Sequence, residues 1–317
     1  MAIKIGVIGV GYLGQHHARI YSELEDVELT AVDIVEEKAN DFAKKYGCEA
    51  CYDYKQILNR VDALSIVTPT ATHYSIALDC LKAGKDILIE KPITETIKEA
   101  NELINEAEKR GCVLQVGHLE RYNPAVLAAS EMINKPLFIE SERFSPFLGI
   151  GGRGTDIDVT LDLMIHDVDI ILSLITQPVN EIRAVGADVL TDKIDVAKAW
   201  LKFEKGCTAL ATVSRLSPEK QRRLKVFQKD SYILIDYMNS EVRRYFRNEE
   251  GTISSQILTP ENKEPLKEEL KDFIRCIRTR ERPQVSGVEG RNALQVVLEI
   301  SEIIKKTAQE VKHGPHG

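Results

Sequence analysis

The chain has 317 residues, 43% of them hydrophobic, which is enough to bury a core in about two domains. Its net charge of -7, with acidic and basic residues interspersed, gives no basic surface for nucleic acid or an anionic membrane. The sequence contains no apolar run of membrane-spanning length and no signal-peptide pattern, so we expect a cytoplasmic protein without nucleic-acid or membrane partners.

Short runs of β-branched residues alternate with helical patterns at the start of the chain, which is typical of a parallel sheet covered by helices on both faces. The clearest helical pattern, TIKEANELINEAEKRG, ends in the Lys-Arg-Gly sequence expected at a helix C-terminus. Residues 1–120 are therefore predicted to form a doubly wound α/β domain. Its predicted strands are 3–9, 27–33, 63–68, 86–90 and 113–118.

Consecutive strands joined by short turns come after residue 120, a pattern that indicates a mostly antiparallel sheet. An apolar helix at 159–175 interrupts the strands early, and helical patterns at 264–280 and 288–311 close the chain. We predict that residues 121–317 form an α+β domain. Its predicted strands lie within 135–147, 181–190, 195–204, 207–216, 222–229, 231–237 and 241–247.

Three glycines stand between the first predicted strand and the first helix, in GVGYLG. Gly9 can make the tight turn, Gly11 can admit a pyrophosphate, and Gly14 can pack the helix on the strand. Free N–H groups at the helix start would then face the phosphates, which brings Tyr12 and Leu13 into the expected cofactor site. The same pattern also occurs as a bare structural turn, and only the residues of the next strand distinguish the two interpretations.

Asp33 ends the second predicted strand, 19 positions past Gly14, where a dinucleotide site has its acidic residue. It would accept hydrogen bonds from both hydroxyls of the adenosine ribose. A carboxylate there repels a 2′-phosphate, and no arginine comes next in DIVEEK, so we predict NAD in preference to NADP. Lys38 is the feature that favours NADP.

Polar and proline-containing sequences end the third, fourth and last strands of the predicted parallel sheet. Ligands bind at the carboxyl ends of such strands, although the same residues also occur in ordinary loops. Lys91 is the strongest candidate for a catalytic residue at this edge, because partial burial beside a cationic nicotinamide would lower its pKa into a range useful for catalysis. The residues assigned to the cofactor site at this edge are Thr68, Pro69, Thr70, His73, Glu90 and Lys91.

The apolar helix VTLDLMIHDVDIILSLI contains several ionisable side chains. Burying a charge costs free energy, so these side chains require a partner or a function. Asp162, His166 and Asp169 share one face of a regular helix, and Asp167 lies beside them. A carboxylate that orients an imidazole suits a general base that removes a hydroxyl proton. The alternative is a buried histidine that a neighbouring aspartate satisfies for structural reasons.

Two further segments are candidates for substrate binding. The sequence GHLERYNP, 117–124, crosses into the second domain, and its polar residues either bind substrate or cap the crossover. The glycine-rich segment 149–158 is either a lid, with Arg153 offering charge to a phosphate, or a disordered connector. The substrate-binding candidates of the first segment are His118, Arg121, Tyr122 and Asn123.

Six cysteines are spread along the chain without the spacing of a disulfide framework, so we expect reduced thiols. Cys48 and Cys51 form a C-x-x-C pair, but no second pair of ligands is placed to complete a zinc site. We predict no metal and interpret the pair as part of an ordinary short strand.

The sequences GVGYLG, AVD, TPTATH, EKP and DLMIHDVD together resemble the glucose-fructose oxidoreductase, inositol dehydrogenase and rhizopine-catabolism (Gfo/Idh/MocA) family. The likeness covers nearly the whole chain, including PQVSGVEGRNALQVVLEI. It implies an N-terminal Rossmann domain, a C-terminal domain with an open sheet, NAD(P)-dependent oxidation or reduction of sugars and cyclitols, and homodimers or homotetramers built through that sheet. It also implies that Lys91, Asp162 and His166 are catalytic, that Asp169 matches a helix carboxylate of the family, and that the Lys91–Pro92 bond is cis.

Within the family, GHLERYNPAV and DLMIHDVD look most like the branch that includes UDP-N-acetylglucosamine 3-dehydrogenases. This predicts oxidation of a UDP-linked 2-acetamido sugar at C3, with Arg121, Arg153 or the basic sequence RRLK, 222–225, as diphosphate ligands by charge alone. The alternatives are a free-sugar or inositol dehydrogenase, a non-enzymatic NAD-binding regulatory protein, and a reductase for a tetrapyrrole-like or dihydrodiol substrate.

Overall fold

The computed structural model describes residues 2–149, 154–261 and 263–313 and divides the chain into two compact units. The first unit runs to Leu119 and includes Glu264–Arg291, and the second consists of Glu120–Lys263 and the chain from Asn292 onward. In chain order the elements are β1 (Ile3–Ile8), α1 (Tyr12–Ser22), β2 (Val27–Val32), α2 (Glu36–Tyr46), β3 (Glu49–Cys51), β4 (Ala63–Ile66), α3 (Thr70–Lys82), β5 (Asp86–Glu90), α4 (Ile97–Arg110), β6 (Leu114–Gly117), α5 (Pro124–Ser130), β7 (Phe138–Phe144), a π-helical turn (Thr160–Met164), α6 (Ile165–Leu174), β8 (Val179–Ala187), β9 (Val196–Phe203), β10 (Thr208–Ser214), β11 (Gln221–Gln228), β12 (Ser231–Asp236), β13 (Glu241–Arg247), β14 (Ile253–Leu258), α7 (Pro265–Thr279) and α8 (Gly287–His313).

The first unit holds a six-stranded parallel sheet in the order β3-β2-β1-β4-β5-β6. Its central strands are buried on both faces, as their continuous apolar runs predict. The five predicted strands are present, and β3 was missed because it is only three residues long. The strand order reverses between β1 and β4, so the carboxyl ends of these strands form the edge at which such sheets bind ligands.

Helix α7 belongs to the first unit, which differs from the predicted division at residue 120. The apolar face of α7, with Leu270, Phe273 and Ile274, packs in one cluster with Ile5 and Ile20 of β1 and α1. The sequence predicts that this face is buried but not which sheet buries it. The segment 264–291 therefore completes the core of the N-terminal unit.

The second unit holds an eight-stranded sheet in the order β14-β13-β12-β11-β7-β10-β9-β8. Every pair is antiparallel except β7–β10, which is parallel. The seven predicted strands are present. The eighth, β14, was missed because its sequence ISSQIL has no apolar face and is largely exposed.

The segment 159–175, predicted as one apolar helix, forms two successive helical elements. Residues Thr160–Met164 form a π-helical turn, and α6 starts directly after it at Ile165. Both contact β10, and α6 also contacts β7, so they cover one face of the sheet. The other face carries a row of aromatic rings stacked from strand to strand, Phe138, Phe227, Tyr232 and Tyr245.

Across the residues that the structure describes, no helix has the length and apolar character that crossing a membrane requires.

Candidate active site

The glycine turn between β1 and α1 uses its three glycines differently. Gly9 has a φ of +88°, and a Cβ there would lie 2.6 Å from the carbonyl oxygen of Val67. A Cβ on Gly14 would overlap the carbonyl oxygen of Gly9, so α1 can approach β1 this closely only with glycine at that position. A Cβ on Gly11 would meet no described heavy atom within 4 Å. Gly9 and Gly14 thus serve the packing of the turn, and the position of Gly11 stays open to a ligand.

Helix α1 begins at Tyr12 with Gly11 at its N-cap, where no described side chain caps it. Tyr12 is exposed and Leu13 is half-buried. The first N–H groups of the helix have no carbonyl partner within the helix, and the helix dipole gives this end a partial positive charge. This is the environment that a pyrophosphate prefers.

Asp33 lies directly after β2 and ties the glycine turn to that strand. One carboxylate oxygen accepts the N–H of Val10 at 3.0 Å, and the other accepts the N–H of Val35 at 2.9 Å. Each oxygen keeps a lone pair for a further donor, such as a ribose hydroxyl. Lys38 is exposed on the neighbouring helix α2. The open position of Gly11, the uncapped helix start and this carboxylate together fit a dinucleotide.

His73 lies beneath two loops at the same edge of the sheet. Its Nδ1 is 2.9 Å from the carbonyl oxygen of Pro92 and its Nε2 is 2.9 Å from that of Thr68. Burial lowers the pKa of His73, and the two carbonyl oxygens at its ring nitrogens act in the opposite direction. The sequence placed His73 beside the cofactor, whereas the structure gives it 1% exposure and a role in joining the loops.

The other predicted residues of this edge lie on those two loops. Thr68 and Pro69 connect β4 to α3, which starts at Thr70 with Pro69 as its N-cap. Lys91 comes directly after β5, is half-buried, and precedes Pro92 through a cis bond, as the family resemblance implies.

The second unit carries Asp162 and His166. Asp162 lies in the π-helical turn and His166 is the second residue of α6, and both side chains are half-buried. A regular helix, as predicted, would hold them one turn apart; the π turn widens the backbone at Asp162 instead. Such turns occur frequently at functional sites. A Cβ on Gly154 would lie 2.5 Å from Oδ2 of Asp162, so this carboxylate packs directly against the glycine.

The predicted substrate-binding side chains of segment 117–124 differ in their burial and in their contacts. His118 and Tyr122 are buried, and Arg121 is half-buried, with its Nε 3.9 Å from Oδ2 of Asp169 on α6. Asn123 is the N-cap of α5: its Oδ1 accepts the N–H of Ala125, and its Nδ2 donates to Glu120. Asn123 therefore caps the crossover, which is one of the two roles that the sequence allows. Arg153 lies outside the described residues, as does part of the predicted lid.

The basic sequence RRLK occupies β11, where alternate side chains point to opposite faces of the sheet. Arg222 lies on the face that α6 covers, where its Nη1 is 3.6 Å from Oε1 of Glu120 and the charge of Asp162 acts on it. Arg223 and Lys225 lie on the other face, near Asp236 and Glu140. Arg222 alone of the three therefore shares a face with the helix that carries His166.

The six cysteines are free thiols, and Cys51 ends the short strand β3. Among the described residues, no group of three His, Cys, Asp or Glu side chains is placed to hold a metal ion.

Comparison with known proteins places the chain in a family. The model of the oxidoreductase family with an NAD-binding Rossmann fold matches residues 3–118, and that of the Gfo/Idh/MocA C-terminal domain matches residues 145–233. A UDP-N-acetylglucosamine 3-dehydrogenase from Acidithiobacillus ferrooxidans is 36% identical over 315 residues, which are 97% of this chain and 99% of that protein. The chain belongs to the Gfo/Idh/MocA family.

Members of the Gfo/Idh/MocA family that resemble this chain are dehydrogenases, so the protein is an oxidoreductase and the non-enzymatic alternative is wrong. A solved structure of the Acidithiobacillus ferrooxidans enzyme superimposes with a TM-score of 0.92 at 35% identity, covering 96% of this chain and 98% of that one. A myo-inositol 2-dehydrogenase from Thermotoga maritima is 28% identical, covering 92% of this chain and 93% of that protein. The Rossmann fold and the second, mostly antiparallel sheet are thereby confirmed.

A buried ion network beside His166 was not predicted from the sequence of this Gfo/Idh/MocA protein. Arg143 on β7 donates from Nε and Nη2 to Asp167 at 2.9 and 3.0 Å, and from Nη1 to Glu120 at 3.0 Å. The three side chains are at most 7% exposed. Burial raises the pKa of Asp167, and the guanidinium of Arg143 opposes that rise. The network fixes the start of α6, since Asp167 is the next residue after His166.

A signal for Arg143 was present in the sequence. In FIESERF the period of two puts Ile139, Ser141 and Arg143 on one face, and Ile139 marks that face as the buried one. An arginine on a buried face requires carboxylate partners. The apolar helix, with its surplus of aspartates, supplies one of them.

Proposed function

We propose that this protein oxidises a secondary hydroxyl of a UDP-linked 2-acetamido sugar at C3, with NAD as the acceptor. The observation that carries the proposal is similarity to a UDP-N-acetylglucosamine 3-dehydrogenase over 97% of the chain. The presence of Lys91, Asp162 and His166 at the positions of the family motifs supports the same chemistry.

In this mechanism two side chains act on one oxygen of the sugar. His166 takes the proton of the sugar hydroxyl as general base. Lys91, as an ammonium, donates a hydrogen bond to the same oxygen and stabilises the negative charge that develops on it. Asp162 orients the sugar or the imidazole. A nicotinamide dinucleotide held by the glycine turn and Asp33 would supply the acceptor for the hydride of the sugar carbon.

The substrate is tested first with the purified protein, NAD and a panel of UDP-N-acetylglucosamine, UDP-glucose, N-acetylglucosamine, glucose and myo-inositol, monitored by the absorbance of NADH. We expect kcat/KM for UDP-N-acetylglucosamine to exceed that for N-acetylglucosamine by about 10²-fold or more, since charged hydrogen bonds to a diphosphate contribute about 1.5–3 kcal/mol each. Reactions without sugar give the background rate. No turnover of any sugar in the panel contradicts the proposed function.

A free-sugar or inositol dehydrogenase is the second candidate, and the similarity to a myo-inositol 2-dehydrogenase over 92% of the chain favours it. Lys91 and His166 keep their roles in that case. Turnover confined to myo-inositol or glucose in the same panel decides for it against the nucleotide sugar.

We propose NAD as the preferred cofactor, on the strength of the Asp33 carboxylate. The Asp33→Ser variant is expected to raise the ratio of kcat/KM for NADP to that for NAD by at least about tenfold, because a carboxylate beside a 2′-phosphate costs several kcal/mol. The matched control is Asp41→Ser, at an exposed aspartate of α2, which should leave the ratio unchanged. An equal ratio of the two kcat/KM values in wild type and Asp33→Ser would contradict the assignment of Asp33 to the ribose hydroxyls.

For assembly we propose a homodimer or homotetramer formed through the aromatic face of the eight-stranded sheet. The stacked row from Phe138 to Tyr245 supports this, because it gives that face apolar area in addition to its ion pairs.

A further inference from the structure

Glu90 is a half-buried carboxylate that contacts several elements of the first unit. It ends β5, and its Oε1 lies 3.0 Å from Nε2 of His17 on α1. The His17 side chain is 0% exposed and that of Glu90 is 13% exposed. The other oxygen, Oε2, accepts the backbone N–H of Lys91 at 3.2 Å. The carboxylate thus joins the helix of the glycine turn to the backbone of Lys91.

Gly117 makes room for this arrangement. It pairs with Glu90 across β5 and β6, and a Cβ on Gly117 would lie 3.0 Å from both Cδ and Oε2 of Glu90. This distance is tighter than most Cβ contacts, so the carboxylate lies directly against the glycine backbone. The position of Glu90 is therefore set from three elements: α1, β6 and the loop that begins at Lys91.

The tautomer of His17 is determined by its contacts. Within the described part of the chain, Nδ1 of His17 is buried and has no hydrogen-bond partner. A proton on Nδ1 would be an unsatisfied buried donor, which costs about 1–3 kcal/mol, so the proton belongs on Nε2, where it is donated to Glu90. His17 therefore acts as a fixed donor to the carboxylate.

Glu90 is ionised in this setting. Burial alone raises the pKa of Glu90, but the hydrogen bond from His17, and then the charge of Lys91, outweigh burial, and the pKa is lowered. Among the described residues, the titratable groups that face Glu90 are His17 from α1, His73 from α3 and Lys91 itself. The negative charge of Glu90 also acts on Lys91, whose backbone N–H the same carboxylate accepts.

We propose that Glu90 is the counter-charge that keeps the side chain of Lys91 in its ammonium form, and that His17 holds Glu90 in place for this purpose. The inference rests on the proposed function, in which Lys91 must donate a hydrogen bond to the reacting oxygen. Burial and a cationic nicotinamide both favour the neutral amine, and a carboxylate next to Lys91 opposes both. Glu90 and His17 are positioning residues, because they act on the substrate only through Lys91.

The decisive measurement is the pKa of Lys91 in wild type and variants. It is obtained by limited acylation of amines at a series of pH values, with peptide mass spectrometry to report the reactivity of Lys91. In Glu90→Gln we expect the pKa of Lys91 to fall by about one unit, the usual effect of losing a nearby opposite charge. In His17→Ala, where the carboxylate remains but loses its donor, we expect a smaller fall in the same direction. His17→Gln, whose Nε2 can take the place of the imidazole donor, should keep most of the wild-type value. His16→Ala, at the neighbouring half-buried histidine of α1, should match wild type.

The same change has a kinetic consequence. Turnover falls as pH rises through the pKa of Lys91, so a lower pKa moves the basic limb of the pH–rate profile to lower pH by the same amount, while the acidic limb stays in place. A merely structural role of His17 and Glu90 would lower the rate at every pH without moving that limb.

Failure of this inference is distinct from failure of the proposed function. The acylation experiment needs no substrate, so it gives the pKa of Lys91 even if no sugar of the panel is oxidised. An unchanged pKa of Lys91 in Glu90→Gln overturns the inference whatever the enzyme turns over. If His17→Ala does not fold, Glu90→Gln and His17→Gln still decide the question.

Discussion

The Lys91→Ala and His166→Ala variants are expected to oxidise the substrate at least about 10²-fold more slowly than the wild-type enzyme, the usual scale for acid–base groups. His166 supplies the base and Lys91 the donor to the same oxygen, so either loss leaves the developing charge uncompensated. Because both residues act on the sugar, kcat should fall while the Kd of NAD, measured by quenching of protein fluorescence, changes little.

The pH profile separates the two roles. The acidic limb of the wild-type profile reports the loss of the free imidazole, so it should disappear in His166→Ala and persist in Lys91→Ala. Lys98→Ala, at an exposed lysine of α4, is the matched control for Lys91 and should retain wild-type turnover. Wild-type turnover in both Lys91→Ala and His166→Ala would contradict the assignment of these two residues as catalytic.

The N-terminal half was predictable because its signals are local. Gly9 and Gly14 serve the packing of one strand–turn–helix unit as predicted, and Asp33 stands at the predicted position, directly after the next strand. The alternation of buried strands and amphipathic helices then leaves few topologies open. The fold class and the edge of the sheet that carries Lys91 could therefore be predicted from the sequence alone.

The features that the sequence did not predict depend on tertiary contacts. The amphipathic pattern of α7 says that Phe273 is buried, but the choice between two sheets depends on which cluster has room for it. The π turn at Asp162 has no signature in the hydrophobic pattern, because the segment 159–175 is apolar on nearly all sides and presents no single face whose direction could shift. The contact of His17 with Glu90 could not be predicted, since the two residues are 73 positions apart in the chain.

Arg143 is the cation of the buried ion network in the second unit, and the Arg143→Met variant is expected to lose about 3–5 kcal/mol of the free energy of unfolding. Methionine fills much of the volume but leaves Asp167 and Glu120 buried without their counter-charge. Typical domains have about 5–15 kcal/mol in total, so this loss is a large fraction of the stability. Urea unfolding monitored by the fluorescence of Trp200, the single tryptophan, on β9, reports this unit directly.

The loss of unfolding free energy in Arg143→Met should depend on pH. The direction of this dependence follows from the shifted pKa of Asp167. That pKa is raised in the folded protein, so the contribution of Asp167 to stability is fully present below its unfolded value and decreases as pH rises through the folded value. Without Arg143 the pKa rises further, because the charge that opposed burial is gone. The difference between Arg143→Met and wild type should therefore be larger at about pH 8 than at about pH 5.

Arg183 provides the matched control for this experiment. It also pairs with a carboxylate, Glu181 at 2.6 Å, but its side chain is 78% exposed on β8. An exposed pair contributes about 0–1 kcal/mol, so Arg183→Met should unfold close to the wild-type midpoint. If Arg143→Met and Arg183→Met unfold at the same urea concentration, the buried network does not stabilise the unit. A larger loss in Arg143→Met that shrinks on acidification assigns the effect to the uncompensated carboxylates beside His166.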